Sequence, residues 1–282
     1  MALQITKLGE ALGAAVSGAD WGTPLDDVTA AAVNAAFLDH HLLCLPAEPL
    51  SPPAFARLAR CFGAPQEQLI RSERQDAAPE VSVLESTYAT PEDKPDDMRL
   101  VRLSGWHTDD SYFPVPAKAT MLQALAVPDS GGQTRFANAA AAYADLSADM
   151  KARLDGLRAV HCYDTSRAAA RATALTDEEQ AETEDAVHPL VRTHEDTGVK
   201  ALYLNANRTD RILGLARAES DALLDELNEH MTRPQYQYHH DWRVGDILLW
   251  DNRSLIHSVN MDFPVGQRRL HQRILLAGTV PV

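Results

Sequence analysis

Gly105-Trp106-His107-Thr108-Asp109-Asp110 is the stretch from which the fold is read. His107 and Asp109 are two apart, so on an extended chain both side chains leave one face, where an imidazole nitrogen and a carboxylate oxygen can bind a single cation. That pair is two thirds of a facial triad. His257, in Trp250-Asp-Asn-Arg-Ser-Leu-Ile-His257, is the candidate third ligand, because two histidines and one carboxylate with open coordination positions is the arrangement of non-haem Fe(II) sites. Ligands so far apart in sequence meet only on a folded scaffold.

The spacing is not unique in a chain with 11 His and 40 acidic residues. His194-Glu-Asp196 repeats it, but runs into Asp196-Thr-Gly198, which reads as a hairpin turn with Asp196 as a turn acceptor. His239-His-Asp241 repeats it too. These two continue an alternating strand from Tyr236 and Tyr238 and stand as the competing metal pair.

Outward from this stretch the chain alternates short strands with a few helices. Upstream, Ile5–Val16 reads as an edge strand or hairpin. Thr23-Pro24 is expected to open a helix with Val28, Ala32 and Phe37 on its buried stripe. Leu42–Leu45 reads as a core strand stopped by Pro46. Ser51-Pro-Pro opens a second helix, with Phe55, Leu58, Ala59 and Phe62 on one face and Gly63 at its end. Val81–Glu85 is a strand, and the polar Ser86–Met98 segment is a loop able to act as a lid.

Downstream, strands are expected over Ala119–Val127 and from Thr134, separated by the Gly131-Gly132 turn. Helices follow over Ser147–Leu157 and Ala218–Met231, and a hairpin over Leu190–Leu204. Strands over Tyr236–Trp242, Ile247–Trp250, Leu255–Val259 and Arg268–Val280 end the chain. Thr165–Asp185 holds almost nothing large and apolar, so a flexible insertion or lid is expected there. Many short strands at regular spacing indicate a mainly β fold, a double-stranded β-helix (jelly roll, cupin-like) with flanking helices, in one domain spanning 1–282.

The 282 residues carry a net charge of -14, which argues against a nucleic-acid partner; an anionic ligand would need a local arginine pocket. Apolar content of 45% with 23% charged residues fits a globular chain able to bury a large core. Cys44, Cys61 and Cys162 lack CxxC spacing and are expected to be reduced and mostly buried, as in the cytoplasm. No basic n-region with a following apolar run opens the chain and no apolar stretch approaches spanning length, so no membrane association is expected.

Several motifs agree in order and approximate spacing: His107-Thr-Asp109, Gly131-Gly-Gln-Thr134, His188-Pro-Leu-Val-Arg-Thr193, Trp250-Asp-Asn-Arg253, His257 and Arg268-Arg-Leu-His-Gln-Arg273. Over roughly residues 35–278 they resemble the TauD/TfdA family of Fe(II)/2-oxoglutarate-dependent dioxygenases. The resemblance implies Fe(II) held by His107, Asp109 and His257, with 2-oxoglutarate and O2 as cosubstrates. Arg269, assisted by the Thr134 hydroxyl, would pair with the distal carboxylate of 2-oxoglutarate, and Arg273 would lie near the metal-bound carboxylate or the substrate's acidic group. Strand parity supports this register, since Arg269 and Arg273 share a face and Arg268 points away. A bulge could exchange Arg268 with Arg269. His271 shares the cavity face, and His188 reads as structural.

The resemblance further implies hydroxylation of an unactivated C–H of a small carboxylate- or sulfonate-bearing molecule, with succinate and CO2 released, by a homodimer or homotetramer. Relatives that halogenate lack the carboxylate at the position of Asp109. Gln66–Arg74 lacks the histidine and tyrosine that hold sulfonate in the taurine branch, which counts against taurine. Arg208, Arg71 and Arg102 are candidate anion binders, with Trp106 and Tyr112 as walls. Desaturation is the alternative outcome within this chemistry. The rivals from other classes are a Zn(II) hydrolase using the same His/Asp/His set and a silent jelly-roll binding protein.

Overall fold

The computed structural model describes residues 3–97, 101–170 and 172–282; Met98, at the end of the expected lid loop, and Arg171, inside the expected insertion, lie outside them. The fold is a jelly roll with helices packed against the outer faces of both its sheets. Among the described residues the larger sheet has nine strands, and Leu42–Leu45, Ile247–Asp251, Ala119–Ala126, Leu270–Leu276 and Ala78–Glu85 lie side by side in that order across its middle. Facing it is a smaller sheet of Gln237–His240, Thr134–Asn138 and Leu255–Val259.

Side-chain alternation explains why the central strands are apolar throughout. Leu43 and Leu45, Ile247 and Leu249, Ala119 and Met121, and Ile274 and Leu276 point to a core shared with the helices Asp27–His40 and Pro52–Ala59. Leu42, Cys44, Leu122, Leu248 and Trp250 point the other way, against Phe136 and Leu255 of the smaller sheet. A strand buried on both faces reads as a continuous apolar run. A third core lies under the helix Arg217–Met231, where Leu223, Leu224, Leu227 and Met231 are buried.

Several boundaries differ from the sequence reading. The first helix starts at Asp27 because Asp26 caps it, accepting from the backbone N–H of Thr29 at 2.7 Å; Thr23 sits in a turn before it. Val28 is 80% exposed, outside the buried stripe. The second helix stops at Ala59, short of Gly63. The described part of Thr165–Asp185 contains one short helix, Asp177–Ala181, and is tied down by charge: Arg167 pairs with Asp221 and, at 2.6 Å, with Asp225, while Arg71 pairs with Glu182 at 2.5 Å.

Candidate metal and anion site

His107 is not on a continuous strand. It makes a single antiparallel bridge to His257, with reciprocal backbone hydrogen bonds of 2.9 and 2.7 Å, and the chain then turns. The bridge fixes the two histidines side by side, ring centroids 4.2 Å apart. Thr108 is buried and donates to the Asn252 carbonyl at 2.9 Å, so His107 and Asp109 are left facing the interior together. Gly105, two residues before His107, leaves no room for a side chain, since a Cβ there would run into the buried side chain of Asn207.

The donor atoms of His107, Asp109 and His257 all lie within 4.8 Å of one another. Nε2 of His107 is 4.0 Å from Oδ1 of Asp109, and Nε2 of His257 is 3.8 Å from Oδ2. The His107 Nδ1–H donates to the Gly105 carbonyl at 2.8 Å, which leaves Nε2 as the lone-pair nitrogen turned toward Asp109. Burial and the neighbouring His257 push the His107 imidazolium down to about 3, so the ring is neutral near pH 7. Burial likewise lowers His257. Burial alone would raise Asp109, yet His257, His107 and Arg273 hold its carboxyl below the usual range. Thr120 donates to Oδ2 of Asp109 at 2.6 Å and accepts from Asn252 Nδ2 at 2.9 Å, fixing the carboxylate's orientation. Two neutral imidazoles and one ionised, oriented carboxylate are the donor set an Fe(II) ion requires.

Arg269 lies one residue before the strand Leu270–Leu276, on the same inward face as His271 and Arg273. A register irregularity does occur beside Leu270, but the extra residue is on the neighbouring strand: Leu270 pairs with Ala126 and His271 with Ala124, so Leu125 is skipped. Parity along Arg269 to Arg273 is therefore undisturbed. Arg268 is turned outward and pairs with Glu85 at 2.9 Å.

Arg269 is buried and donates to the Gly132 carbonyl at 3.0 Å and to Thr134 Oγ1 at 3.1 Å. Gly131 and Gly132 both have φ +72°, the left-handed backbone that brings this carbonyl around. Burial pushes the Arg269 guanidinium down to about 10, with no acidic side chain opposing it among the described residues. A buried cation without a counter-charge is costly, and a bound carboxylate supplies one. Thr134 Oγ1 accepts from both Arg269 and the Trp242 indole, at 2.9 Å, so its own proton is left to donate toward such an anion.

A cavity of 440 Å³ opens onto this centre, lined in part by His107, Asp109, Asp110, Tyr112, Arg208 and Arg273. Arg208 sits with its guanidinium carbon 4.6 Å from the ring centres of both Tyr112 and Tyr163 and donates to the Tyr163 carbonyl. Arg102 also lines the cavity, but its donors go to the carbonyls of Asn207 at 2.9 Å and Tyr163 at 3.0 Å, which makes it a clamp on these segments. Arg273 reaches Glu73 at 3.4 Å and Ser82 at 3.3 Å.

Two expected wall or anion residues lie elsewhere. Trp106 packs on the core beneath Arg217–Met231, with Arg135 over its ring at 5.0 Å. Arg71 is spent on Glu182 outside the cavity. The competing histidine pairs also separate: His239 is exposed and bonds Gln237 at 2.7 Å, while Asp241 accepts from Gln133 at 2.6 Å. His194 donates to Asp251 at 2.9 Å, and its Nδ1 accepts the turn's backbone N–H groups from Asp196 and Thr197, the part expected of Asp196. Asp196 pairs instead with Arg253 at 2.7 Å. His188 meets the carbonyls of Ser111 and Phe113, each at 3.0 Å, and so anchors the turn after the ligand pair.

Asp110 was not expected in the site. Its φ of 56° swings its carboxylate to the same side as Asp109, where it accepts from Gln66 at 2.8 Å and Tyr112 at 3.0 Å. Burial and the Asp109 charge raise it to about 6.

The family model "Taurine catabolism dioxygenase TauD, TfdA family" matches residues 4–275. The chain is 34% identical to an (S)-phenoxypropionate/alpha-ketoglutarate-dioxygenase of Sphingobium herbicidovorans over 97% of this chain and 95% of that protein. It is 30% identical to an alpha-ketoglutarate-dependent sulfate ester dioxygenase of Pseudomonas putida over 99% and 91%. Among solved structures, AAD-2 in complex with Mn(II) and N-oxalylglycine superposes with a TM-score of 0.81 at 30% identity, covering 100% of this chain and 99% of that one. A taurine dioxygenase from Burkholderia xenovorans gives 0.84 at 31% identity, covering 99% and 91%.

Proposed function

The chain belongs to the TauD/TfdA family and is an Fe(II)/2-oxoglutarate-dependent dioxygenase, and from that premise we propose that it hydroxylates a C–H bond of a small organic anion with an apolar or aromatic body. The observation that carries this reading is Arg208, set against the rings of Tyr112 and Tyr163 at the cavity onto which His107 and Asp109 open. A guanidinium set against two aromatic rings that pack edge-to-face, centroids 5.1 Å apart, is pre-oriented, so little rotamer freedom is lost when it meets a carboxylate, sulfonate or sulfate. Two full-length relatives act, by their names, on phenoxypropionate and on sulfate esters, which supports an anionic substrate.

His107, Asp109 and His257 would hold the iron, and Arg269 with Thr134 would bind the distal carboxylate of 2-oxoglutarate, with Arg273 toward its other end. Bound together, iron and 2-oxoglutarate supply the oxidation: one atom of O2 goes to succinate as CO2 leaves, and the other is inserted into the substrate C–H. The protein's part is positioning. Thr120 and Asn252 keep Asp109 oriented, Arg208 fixes the substrate's acidic end, and Tyr112 offers apolar surface that orders the target carbon. Where that carbon carries an ether or sulfate oxygen, the hydroxylated product loses its alcohol or sulfate group. The hydroxyl proton passes to the leaving oxygen and a carbonyl remains.

We take the working unit to be one cytoplasmic catalytic domain assembled as a homodimer or homotetramer. Its described residues include no helix long and apolar enough to cross a membrane, and its three cysteines are unpaired. Light scattering of the purified protein tests the assembly; a monomer at working concentration contradicts it. A hydrolase would have no use for the buried, uncompensated Arg269. The decisive assay is succinate formation with Fe(II), 2-oxoglutarate and O2 across aryloxyalkanoates, alkyl sulfates and sulfonates. Turnover should require the anionic group, and neutral esters of the same bodies that react equally well would contradict the reading.

A further inference from the structure

Between the two sheets lies a second cluster of potential ligands. Cys44, His240 and Asp246 are all buried, and their ligand atoms lie within 4.8 Å of one another. Three segments contribute one residue each. Cys44 is on Leu42–Leu45 and pairs in register with Leu248; His240 ends Gln237–His240; Asp246 immediately precedes Ile247–Asp251. The turn between the last two is held close to the first by backbone contact, since a Cβ at Gly245 would run into the Ala47 carbonyl.

We propose that Cys44, His240 and Asp246 form a second metal site, separate from the His107–Asp109–His257 group, which takes a thiophilic divalent cation of the Zn(II) class and leaves a fourth position for water.

The first argument is the unused nitrogen. His240 is 5% exposed, and its Nε2 lies 3.3 Å from Oδ2 of Asp246 in a geometry that makes no hydrogen bond. A buried polar nitrogen left unpaired costs stability, and a cation satisfies it. The second argument is the other ring nitrogen: Nδ1 meets the Tyr238 hydroxyl at 3.1 Å, the outer partner that fixes ring orientation in metal-bound histidines. The third is separation. Bonds of about 2.0–2.3 Å to a tetrahedral Zn(II) place donor atoms roughly 3.3–3.8 Å apart, so the 3.3 Å pair already fits and the others, within 4.8 Å, would close in on the ion.

The fourth argument is chemical selection. A thiolate donor favours Zn(II) over Fe(II), whereas the nitrogen and oxygen donors of the first site suit Fe(II), so one chain can sort the two metals by ligand type. Without a cation, burial and then the Asp246 charge push the Cys44 thiol up to about 12. A bound cation would displace that proton. The site also touches the anion pocket: the His240 ring is 4.8 Å from Trp242, whose indole donates to Thr134. Metal at His240 would therefore brace one wall of the pocket around Arg269.

Anaerobic titration of the reduced, metal-free full chain with Co(II), a spectroscopic stand-in for Zn(II), tests the proposal. Wild type should bind two equivalents, one of them with an intense near-ultraviolet thiolate-to-cobalt band. Cys44→Ser and His240→Gln should each lose the band and one equivalent, while Asp109→Ala should keep the band and lose the other equivalent. A wild type that binds Co(II) without the band overturns the proposal, and so does a band that survives Cys44→Ser. Should the variants not fold, X-ray absorption of zinc-loaded wild type decides: sulfur beside nitrogen and oxygen ligands is expected, about half a sulfur per zinc averaged over the two sites, and a shell without sulfur contradicts it.

Discussion

The Arg269 guanidinium donates to the Thr134 hydroxyl at 3.1 Å, both groups are buried, and no carboxylate opposes the charge among the described residues. This pair ties the final strand of the larger sheet to the smaller sheet, and it is the part of the site whose charge asks for a ligand.

Arg269→Ala should raise the KM for 2-oxoglutarate far more than Arg268→Ala. Charge-assisted hydrogen bonds are worth about 1.5–3 kcal/mol each, or roughly 10- to 150-fold, whereas Arg268 makes only an exposed ion pair with Glu85, 57% and 44% exposed on the two sides. Steady-state kinetics with 2-oxoglutarate varied checks it. Equal effects would place Arg268 in the pocket.

Thr120→Val should weaken Fe(II) binding or activity by about 10- to 100-fold without unfolding the protein, because it removes the hydroxyl that orients Asp109 but keeps the volume. Metal titration of the variant reads this, and unchanged affinity and turnover would mean that Asp109 holds its orientation unaided.

Arg208→Gln should raise the KM for an anionic substrate by roughly 5- to 30-fold, the loss of about 1–2 kcal/mol of charge-assisted recognition, with kcat less affected. Arg208→Lys should recover little, since an ammonium lacks the planar fork that both packs on the tyrosine rings and meets an anion in bidentate fashion. An unchanged KM in both variants would remove Arg208 from substrate binding.

Acid should destabilise the metal-free protein before most of its carboxylates protonate, Asp110 at about 6 being the exception. Burial holds His188 down to about 4 against an unfolded value near 6.5, and burial also holds His161 and His271 far down. With the folded value depressed, each histidine's contribution is complete above about pH 6.5 and is lost as pH falls toward its folded value, on the order of 1.4 kcal/mol per pH unit per group. Urea unfolding between pH 7.5 and 5 should give a falling midpoint. A flat profile would contradict burial of these rings.

Much of this site is legible because its residues obey local rules. His107, Asp109 and the Arg269–Arg273 line follow from period-two spacing, and the same parity would have found Thr120, which must face inward when Ala119 and Met121 face the helices. Asp110 was not legible: alternation would send it away from Asp109, and only the left-handed backbone at that residue returns it to the cavity. Nor could sequence tell Arg208 from Arg71, since both are arginines near acidic residues. What separates them is that Arg208 packs against two tyrosine rings at the cavity while Arg71 has Glu182 at the surface. Asp26 displaced Thr23 as the helix cap because Asp is the better of two capping residue types and Thr23 is held in the turn at Asp20–Thr23.

Anaerobic addition of Fe(II) and then 2-oxoglutarate to the metal-free protein, followed in the visible region in wild type and Arg269→Ala, tests the site most directly. The expected result is a weak charge-transfer band in wild type that needs both additions and requires a higher 2-oxoglutarate concentration, or is lost, in the variant. A folded, iron-loaded wild type that gives no band, or a variant that gives the wild-type band at the wild-type concentration, would contradict the assignment of His107, Asp109, His257 and Arg269.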